Sequence, residues 1–353
     1  MLSHDNVRFS SPGVRPSAAR RALAVRAGPA CPAVIADAFR SALTAAERVV
    51  GATAPNPPVG CVVLDEDGVV LACEAHQKAG APHAEAAAVE VCRRAGVAER
   101  IHAIVVTLEP CNHQGRTPPC TDIILSTPAR SVWVGVRDPN PKVRGGGAAE
   151  LAARGLKLAF IDTLDHPDAP TLAAAAERLI APFRTWSQSG RPWLTLKQAV
   201  AADGGMTPPA GRNTFTSEAS LRLAHGLRRR ADAIITGSGC VLADDPQFTV
   251  RLVPDHAGKR RKLAILDRRG RTPPDYVRAA QARGFDVLVR GDVEALLAEL
   301  AAAGVVEALV EAGPTLLGTF RDQGLWDEQV IIRQSPIPGQ PDSVDVRTRS
   351  NLG

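Results

Sequence analysis

The chain is poor in aromatic residues, with eight Phe, four Trp and a single Tyr among 353 residues. Single-stranded nucleic-acid platforms stack bases on aromatic side chains, so this composition argues against such a surface. Long apolar runs are lacking too: no stretch approaches the roughly 18 residues of a membrane-spanning helix, and no membrane partner is expected. A Walker loop is missing, and Gly237-Ser238-Gly239 is followed by Val241-Leu242 where a dinucleotide fingerprint needs its third glycine. Any dinucleotide must therefore be held by another fold. Neither charge sign dominates, with 42 Lys and Arg against 37 Asp and Glu, a net charge of +5. The cations are dispersed apart from Arg228-Arg229-Arg230 and Lys259-Arg260-Arg261-Lys262, and such runs are usually solvated faces. An anionic small molecule suits this surplus better than a nucleic acid. Seven cysteines, an odd count in a long chain, make no disulfide framework and point to a reducing compartment.

What is present is a split cluster: His83-Ala84-Glu85, then Pro110-Cys111, then Cys120. One imidazole and two thiolates fill three positions of a tetrahedral Zn2+ and leave the fourth for water. If His83 opens a helix, Glu85 points roughly 200° around it and is free to move protons. Cys111 to Cys120 reads CNHQGRTPPC, a polar loop between an apolar strand and a helix-like run, and a poor place for two core cysteines. The pattern is similar to that of the zinc deaminases. Nucleoside and nucleic-acid deaminases, however, usually have C-x-x-C, whereas eight residues intervene here.

The length exceeds twice that of a typical domain, so two cores are expected. Residues 1–32 read as a leader: Asp5 is the only acid in its first 30 residues, and Pro12, Pro16 and Pro29 interrupt any helix. A bacterial N-terminal extension is favoured over an organellar transit segment, and a cytoplasmic location over a plastid one. Over 33–183 the periodicities predict a helix from Ala33, a hairpin turning over Asp65-Glu66-Asp67-Gly68, a helix over Ala84–Arg94, and then alternating strands and helices. This is a three-layer α/β pattern. The polar stretch 184–192 is assigned as a linker. Over 193–353 strands begin at Trp193, Ala233, Lys262, Phe285, Val305 and Glu328, with helices over Ser217–Arg230, N-capped by Ser217, and Val293–Ala303. A second α/β domain follows.

From about Ala33 to about Ile332 the chain resembles the bifunctional deaminase-reductase family of riboflavin biosynthesis. The deaminase half carries Pro55-Asn56-Pro57-Pro58-Val59-Gly60, Gly80-Ala81-Pro82-His83-Ala84-Glu85, Thr107-Leu108-Glu109-Pro110-Cys111, Gly115-Arg116-Thr117-Pro118-Pro119-Cys120 and Asp138-Pro139-Asn140-Pro141 in order. The resemblance implies a cytidine-deaminase-like domain that hydrolytically deaminates a diaminopyrimidinone ribosyl 5′-phosphate. It implies that Asn56 and Asn140 meet the pyrimidine or its ribose, and that His76 and Arg116 meet the phosphate. The second half looks like a dihydrofolate-reductase-like α/β domain using NADPH to open the ribose to a ribityl chain. There the resemblance implies Lys197 and Glu311 beside the reacting sugar and nicotinamide. It places Ser217, Arg228, Asp245 and Arg251 on the substrate, and Gly237 and Gly313 with Glu311 along the cofactor.

Three departures bear on the reductase. Thr214-Phe215-Thr216-Ser217 stands where the family commonly has Trp-Ile-Thr-Ser, Asp203-Gly204-Gly205-Met206 where it has Asp-Gly-Arg, and Glu311-Ala312-Gly313 where it has Glu-Gly-Gly. They motivate an alternative: a specialised paralogue for another pteridine-like metabolite, with an active deaminase and an altered or inactive reductase. A nucleic-acid editor is disfavoured by the inter-cysteine gap and the aromatic poverty. A non-catalytic scaffold is disfavoured by the complete ligand set. The resemblance also suggests a homo-oligomer.

Overall fold

The computed structural model describes residues 31–113, 118–140, 146–206, 214–337 and 339–349. Most of the expected leader, and Arg116, lie outside the described residues.

The first half opens with α1 (Pro32–Val49), which has proline at its start and buries Ile35, Phe39, Ala42, Leu43 and Ala46, a stripe at helical spacing. It continues through β1 (Gly60–Leu64), β2 (Val70–Ala75), α2 (Ala84–Arg94), β3 (Ala103–Leu108), α3 (Cys120–Leu125), β4 (Ser131–Val136), α4 (Gly146–Ala153), β5 (Lys157–Phe160) and α5 (Ala169–Ser189). The five strands lie in the order β2-β1-β3-β4-β5. The pairings β1/β2 and β1/β3 are antiparallel, and β3/β4/β5 are parallel. Because side chains alternate along a strand, Val62, Leu64, Ala103 and Val105 enter the core beneath α1 and α5. Cys61, Val63, Ile104 and Val106 enter the opposite one beneath α2 and α3. Sheets covered on both faces read as continuous apolar strands, as β1 and β3 do. The hairpin turns where expected, with Asp65 Oδ1 accepting the N–H groups of Asp67 and Val69 at 3.0 and 2.8 Å.

The second half comprises β6 (Trp193–Val200), α6 (Glu218–Arg230), β7 (Ala233–Gly237), α7 (Ser238–Asp244), β8 (Lys262–Leu266), α8 (Pro274–Ala282), β9 (Asp286–Arg290), α9 (Val293–Ala302), β10 (Glu307–Glu311), α10 (Pro314–Asp322), β11 (Glu328–Arg333) and β12 (Ser343–Thr348). The seven strands lie in the order β12-β11-β6-β10-β7-β8-β9, parallel except for β12. Sequence periodicity did not predict α7, α8, α10 or β12, which are short or carry few apolar residues. The stretch assigned as a linker differs as well. Arg184–Ser189 forms the last turns of α5, which ends at Gly190 in the left-handed conformation, so only Gly190–Pro192 is irregular.

The two halves are joined by carbonyl capping. Arg229 Nη2 donates to the Arg48 carbonyl at 2.9 Å, and His256 Nε2 lies 2.8 Å from the Val50 carbonyl, so the second half satisfies the C-terminus of α1. Gly51 sits so close to Arg230 that a Cβ there would lie 2.5 Å from its carbonyl oxygen. Trp186 Nε1 donates to the Ala301 carbonyl at 3.0 Å. The contact falls at the amino ends of the strands of the second half.

This arrangement corrects the reading of the basic runs as solvated faces. Lys259 and Arg261 donate to the carbonyls of Arg228, Arg229 and Arg230, capping α6, and Lys262 pairs with Asp286. Arg230 pairs with Glu307 and Glu328. Runs of like charge read as surface in a sequence because their partners are distant along the chain.

Candidate active site

His83 occupies the N-cap of α2 and Cys120 the first position of α3, while Cys111 follows the carboxyl end of β3. Two helix starts and a strand end therefore deliver the three ligands. His83 Nδ1 lies 3.5 Å from Cys111 Sγ and 3.4 Å from Cys120 Sγ, and the three ligand atoms fall within 4.8 Å of one another. Tetrahedral zinc with ordinary Zn–N and Zn–S bonds requires N···S separations of about 3.6 Å, so the donor set fits the ion. The sulfurs state the same requirement electrostatically. A hydrogen bond from Cys120 holds the Cys111 thiol well below its ordinary value, while that neighbour and burial push the Cys120 thiol up. Both can ionise together only around a cation.

Glu85 is 3% exposed, and burial, with Cys111 nearby, raises its proton affinity. Around it the ligand loop is tied down by Glu109, whose carboxylate oxygens accept the N–H groups of Asp138 at 3.1 Å and Ala148 at 3.0 Å. Gly147 abuts the loop, for a Cβ there would lie 1.8 Å from the Pro110 carbonyl oxygen. Sequence reasoning assigned neither Glu109 nor Gly147 a role. Glu109 stood within the recognised Thr107-Leu108-Glu109-Pro110-Cys111 motif, which was the available signal.

Asn56 and His76 are brought together beside the metal site. Asn56 Nδ2 donates to His76 Nε2 at 3.1 Å, His76 Nδ1 donates to the Pro82 carbonyl at 3.0 Å, and the His76 and His83 rings meet edge-on at 5.3 Å. This network assigns a neutral His76, and burial lowers its pKa further. His76, expected on the phosphate, has both ring nitrogens engaged here and orients Asn56. Asn140 follows Asp138, which folds the turn by accepting the Asn140 N–H at 2.8 Å.

In the second half Lys197 and Glu311 are register partners on β6 and β10, and Lys197 Nζ lies 3.1 Å from Glu311 Oε2. Arg228 reaches the same carboxylate through Nε at 2.5 Å and Nη2 at 2.9 Å, and donates its Nη1 to the Thr249 carbonyl. Burial alone would raise the Glu311 pKa, yet the two cations hold it down at about 2. Arg228, expected on a ribose phosphate, pairs with Glu311 in this structure. Ser217, also expected on the substrate, caps α6: its hydroxyl accepts the Ser220 N–H at 3.3 Å and donates to Ser220 Oγ at 3.2 Å. Arg251 is exposed, steadied by Thr249 Oγ1 at 2.5 Å, and Asp245 ends α7 at φ 41°. His225, unassigned from sequence, shapes this loop by accepting the Arg251 N–H on Nδ1 at 2.8 Å. Gly237 closes β7 and Gly313 follows β10, whose N–H donates to Cys240 Sγ at 3.0 Å. Both lie at the carboxyl edge of a parallel sheet, the crevice where open α/β sheets take dinucleotides, so the position fits NADPH.

Comparison with known proteins agrees with both halves. Residues 34–136 match the cytidine and deoxycytidylate deaminase zinc-binding region, and residues 192–346 match the RibD C-terminal domain. The chain is 34% identical to the riboflavin biosynthesis protein RibD of Aquifex aeolicus over 88% of this chain and 90% of that one. It is 32% identical to RibD of Escherichia coli over 82% and 84%. RibD of Acinetobacter baumannii superposes with a TM-score of 0.73 at 30% identity, covering 88% of this chain and 89% of that chain. The deaminase/reductase of Thermotoga maritima gives 0.72 at 29%, with the same coverage. The likeness runs through the reductase half despite its departures and does not favour the specialised paralogue. With a hydrolytic zinc site in one half, a dinucleotide-binding sheet edge in the other and this agreement along most of its length, the chain belongs to the RibD family of bifunctional riboflavin-biosynthesis deaminase-reductases.

Proposed function

We propose that the first half deaminates 2,5-diamino-6-ribosylamino-4(3H)-pyrimidinone 5′-phosphate and that the second reduces the product's ribosyl group to a ribityl chain with NADPH. The observation that carries this reading is His83 Nδ1 lying within 3.5 Å of both Cys111 and Cys120 sulfurs beside a buried Glu85. Zinc bound by these three side chains supplies the Lewis acidity that makes water a nucleophile near neutral pH. Glu85 accepts a proton from that water and delivers one to the departing amine nitrogen, so the C–N bond breaks with ammonia leaving neutral. Its raised proton affinity suits a group that must hold a proton between those steps. Asn56, steadied by His76, and Asn140 pair with the polar edges of the pyrimidine or its ribose.

For the reduction, NADPH supplies the hydride. Lys197, held in place by Glu311, faces the reacting sugar and provides a proton to its oxygen as the ring opens. Arg251 and Asp245 meet the ribose phosphate portion, the forked guanidinium suiting the phosphate and the carboxylate the hydroxyls. An oligomer of identical chains remains our reading, supported by the edge strand β12, where Val344 and Val346 are 45% and 57% exposed.

The test is a mass-spectrometric time course on the diaminopyrimidinone ribosyl phosphate. Deaminated product without NADPH and ribityl product with it are expected. Deamination with no NADPH oxidation would point back to a paralogue with an inactive reductase.

A further inference from the structure

The stretch after α7, residues 245–252, holds the only two non-glycine residues at positive φ among the described residues, Asp245 at 41° and Phe248 at 54°. In this left-handed region the Cβ of an L-residue crowds the following carbonyl, so the conformation persists only where surrounding groups enforce it. Residues 249–252 are enforced from α6. Arg228 Nη1 donates to the Thr249 carbonyl at 3.3 Å, Arg222 Nη1 donates to the Leu252 carbonyl at 2.9 Å, and His225 Nδ1 accepts the N–H groups of Arg251 and Leu252 at 2.8 and 3.4 Å.

The strained part, residues 245–248, has a different anchor. Tyr276 Oη donates to the Pro246 carbonyl at 2.6 Å, and among the described residues it is the one side chain bonded to the backbone of residues 245–248. Tyr276 stands in the first turn of α8, and its ring shares one core with those of Phe248 and Phe285 and with Ile234, Val241, Leu263 and Ile265. The hydroxyl therefore reaches the loop from a packed position and cannot follow it if the loop moves. The loop also touches the reducing centre. The Arg228 guanidinium lies 5.7 Å from the Phe248 ring centroid, while its Nε and Nη2 hold Glu311, the partner of Lys197.

We propose that Tyr276 is a positioning residue of the reductase, whose hydroxyl holds residues 245–248 in the left-handed conformation that presents Asp245 and Arg251 to the ribose phosphate portion of the substrate. The hydroxyl is engaged by the Pro246 carbonyl and takes no part in the chemistry. It sets the fraction of molecules whose loop is ready for substrate, and bound substrate draws the remainder into that form, so loss of the hydroxyl raises KM and spares kcat. The proposal rests on the placement of Asp245 and Arg251 given above.

Two measurements on the full chain separate the proposal from that placement. In the first, reduction of the deaminated intermediate is compared in wild type, Tyr276→Phe and Arg251→Ala. Tyr276→Phe keeps the ring in the core and removes one hydrogen bond. Its KM for the intermediate should rise about three- to tenfold, the equilibrium factor of one such bond, with kcat and the KM for NADPH within about twofold. A general loosening of the second half would move all three constants together. In the second, the chain is labelled with 3-fluorotyrosine, and its single Tyr gives one fluorine resonance, which ribose 5-phosphate should shift saturably. An unchanged KM in Tyr276→Phe, or a resonance that ribose 5-phosphate does not move, overturns the proposal. A raised KM in Tyr276→Phe with no effect of Arg251→Ala upholds the loop's positioning and overturns the placement of Arg251 instead.

Discussion

Replacing Glu311 with Gln removes one charge from a buried triad and leaves two cations facing a neutral amide. The geometry sets the size of the effect. Lys197 Nζ and Arg228 Nε lie 3.1 and 2.5 Å from the carboxylate, and at an effective dielectric near 20 each contact contributes about 5–7 kcal/mol of attraction. Desolvation of a carboxylate that is 7% exposed opposes most of this. The net is read from the carboxylate itself: held at about 2 where an ordinary glutamate titrates at 4.5, it contributes about 3 kcal/mol to stability at neutral pH. Because the folded value is depressed, this contribution is complete above pH 4.5 and is lost as pH falls toward 2. Glu311→Gln should therefore lower the urea-unfolding free energy of the reductase half by about 3 kcal/mol at pH 7, and the gap should narrow to about 1.4 kcal/mol at pH 3. Reduction should fail in the variant while deamination persists. A gap under about 1 kcal/mol at pH 7, or one that widens in acid, would refute the reasoning.

Other perturbations probe the remaining elements. Glu85→Gln should lower the kcat of deamination by about 10²- to 10⁴-fold with zinc content unchanged by elemental analysis and NADPH-dependent reduction of supplied intermediate intact. Gly147→Ala puts a methyl group 1.8 Å from the Pro110 carbonyl oxygen, so it should shift the Cys111 loop and lower bound zinc per chain as measured by a chromogenic chelator; full zinc occupancy would contradict this. The pKa of His225 is lowered to about 4 by burial and by Arg228 and Arg251, and its Nδ1 accepts the Arg251 N–H. Stability from the neutral ring is complete above pH 6.5 and should fall by about 1–3 kcal/mol as pH drops toward 4; His225→Asn, which keeps an acceptor, should flatten that slope in thermal melts.

The zinc ligands and Glu85 were legible in the sequence because their chemistry is local: each residue type states its role, and polar loop composition excluded a packing role for the cysteines. Strands β1, β3, β7 and β8 were legible for a similar reason, being continuous apolar runs. The partner of Arg228 was not, since it lies far along the chain. Arg228 meets Glu311 across 83 positions, and an arginine beside two others on a helix looks solvated until that partner is placed. Ser217 could be read equally as cap or ligand, and its hydroxyl is committed to the cap. The helical end of α5 was missed because polar residues in a final turn resemble a linker until the capping Gly190 is reached.

The docking of the first half on the amino ends of the reductase strands has a kinetic consequence. Lys197 and Glu311 stand toward the other ends, and β10 alone, at about 3.3 Å per residue, puts some 13 Å between Glu307 and Glu311. Glu311 thus ends β10 on the side of the second sheet away from the docked first half. An intermediate that travels through bulk water between the two halves should have its isotopic label diluted fully by unlabelled intermediate added to the medium. The fusion then fixes the ratio of two catalysts, one to one, and leaves their turnover uncoupled.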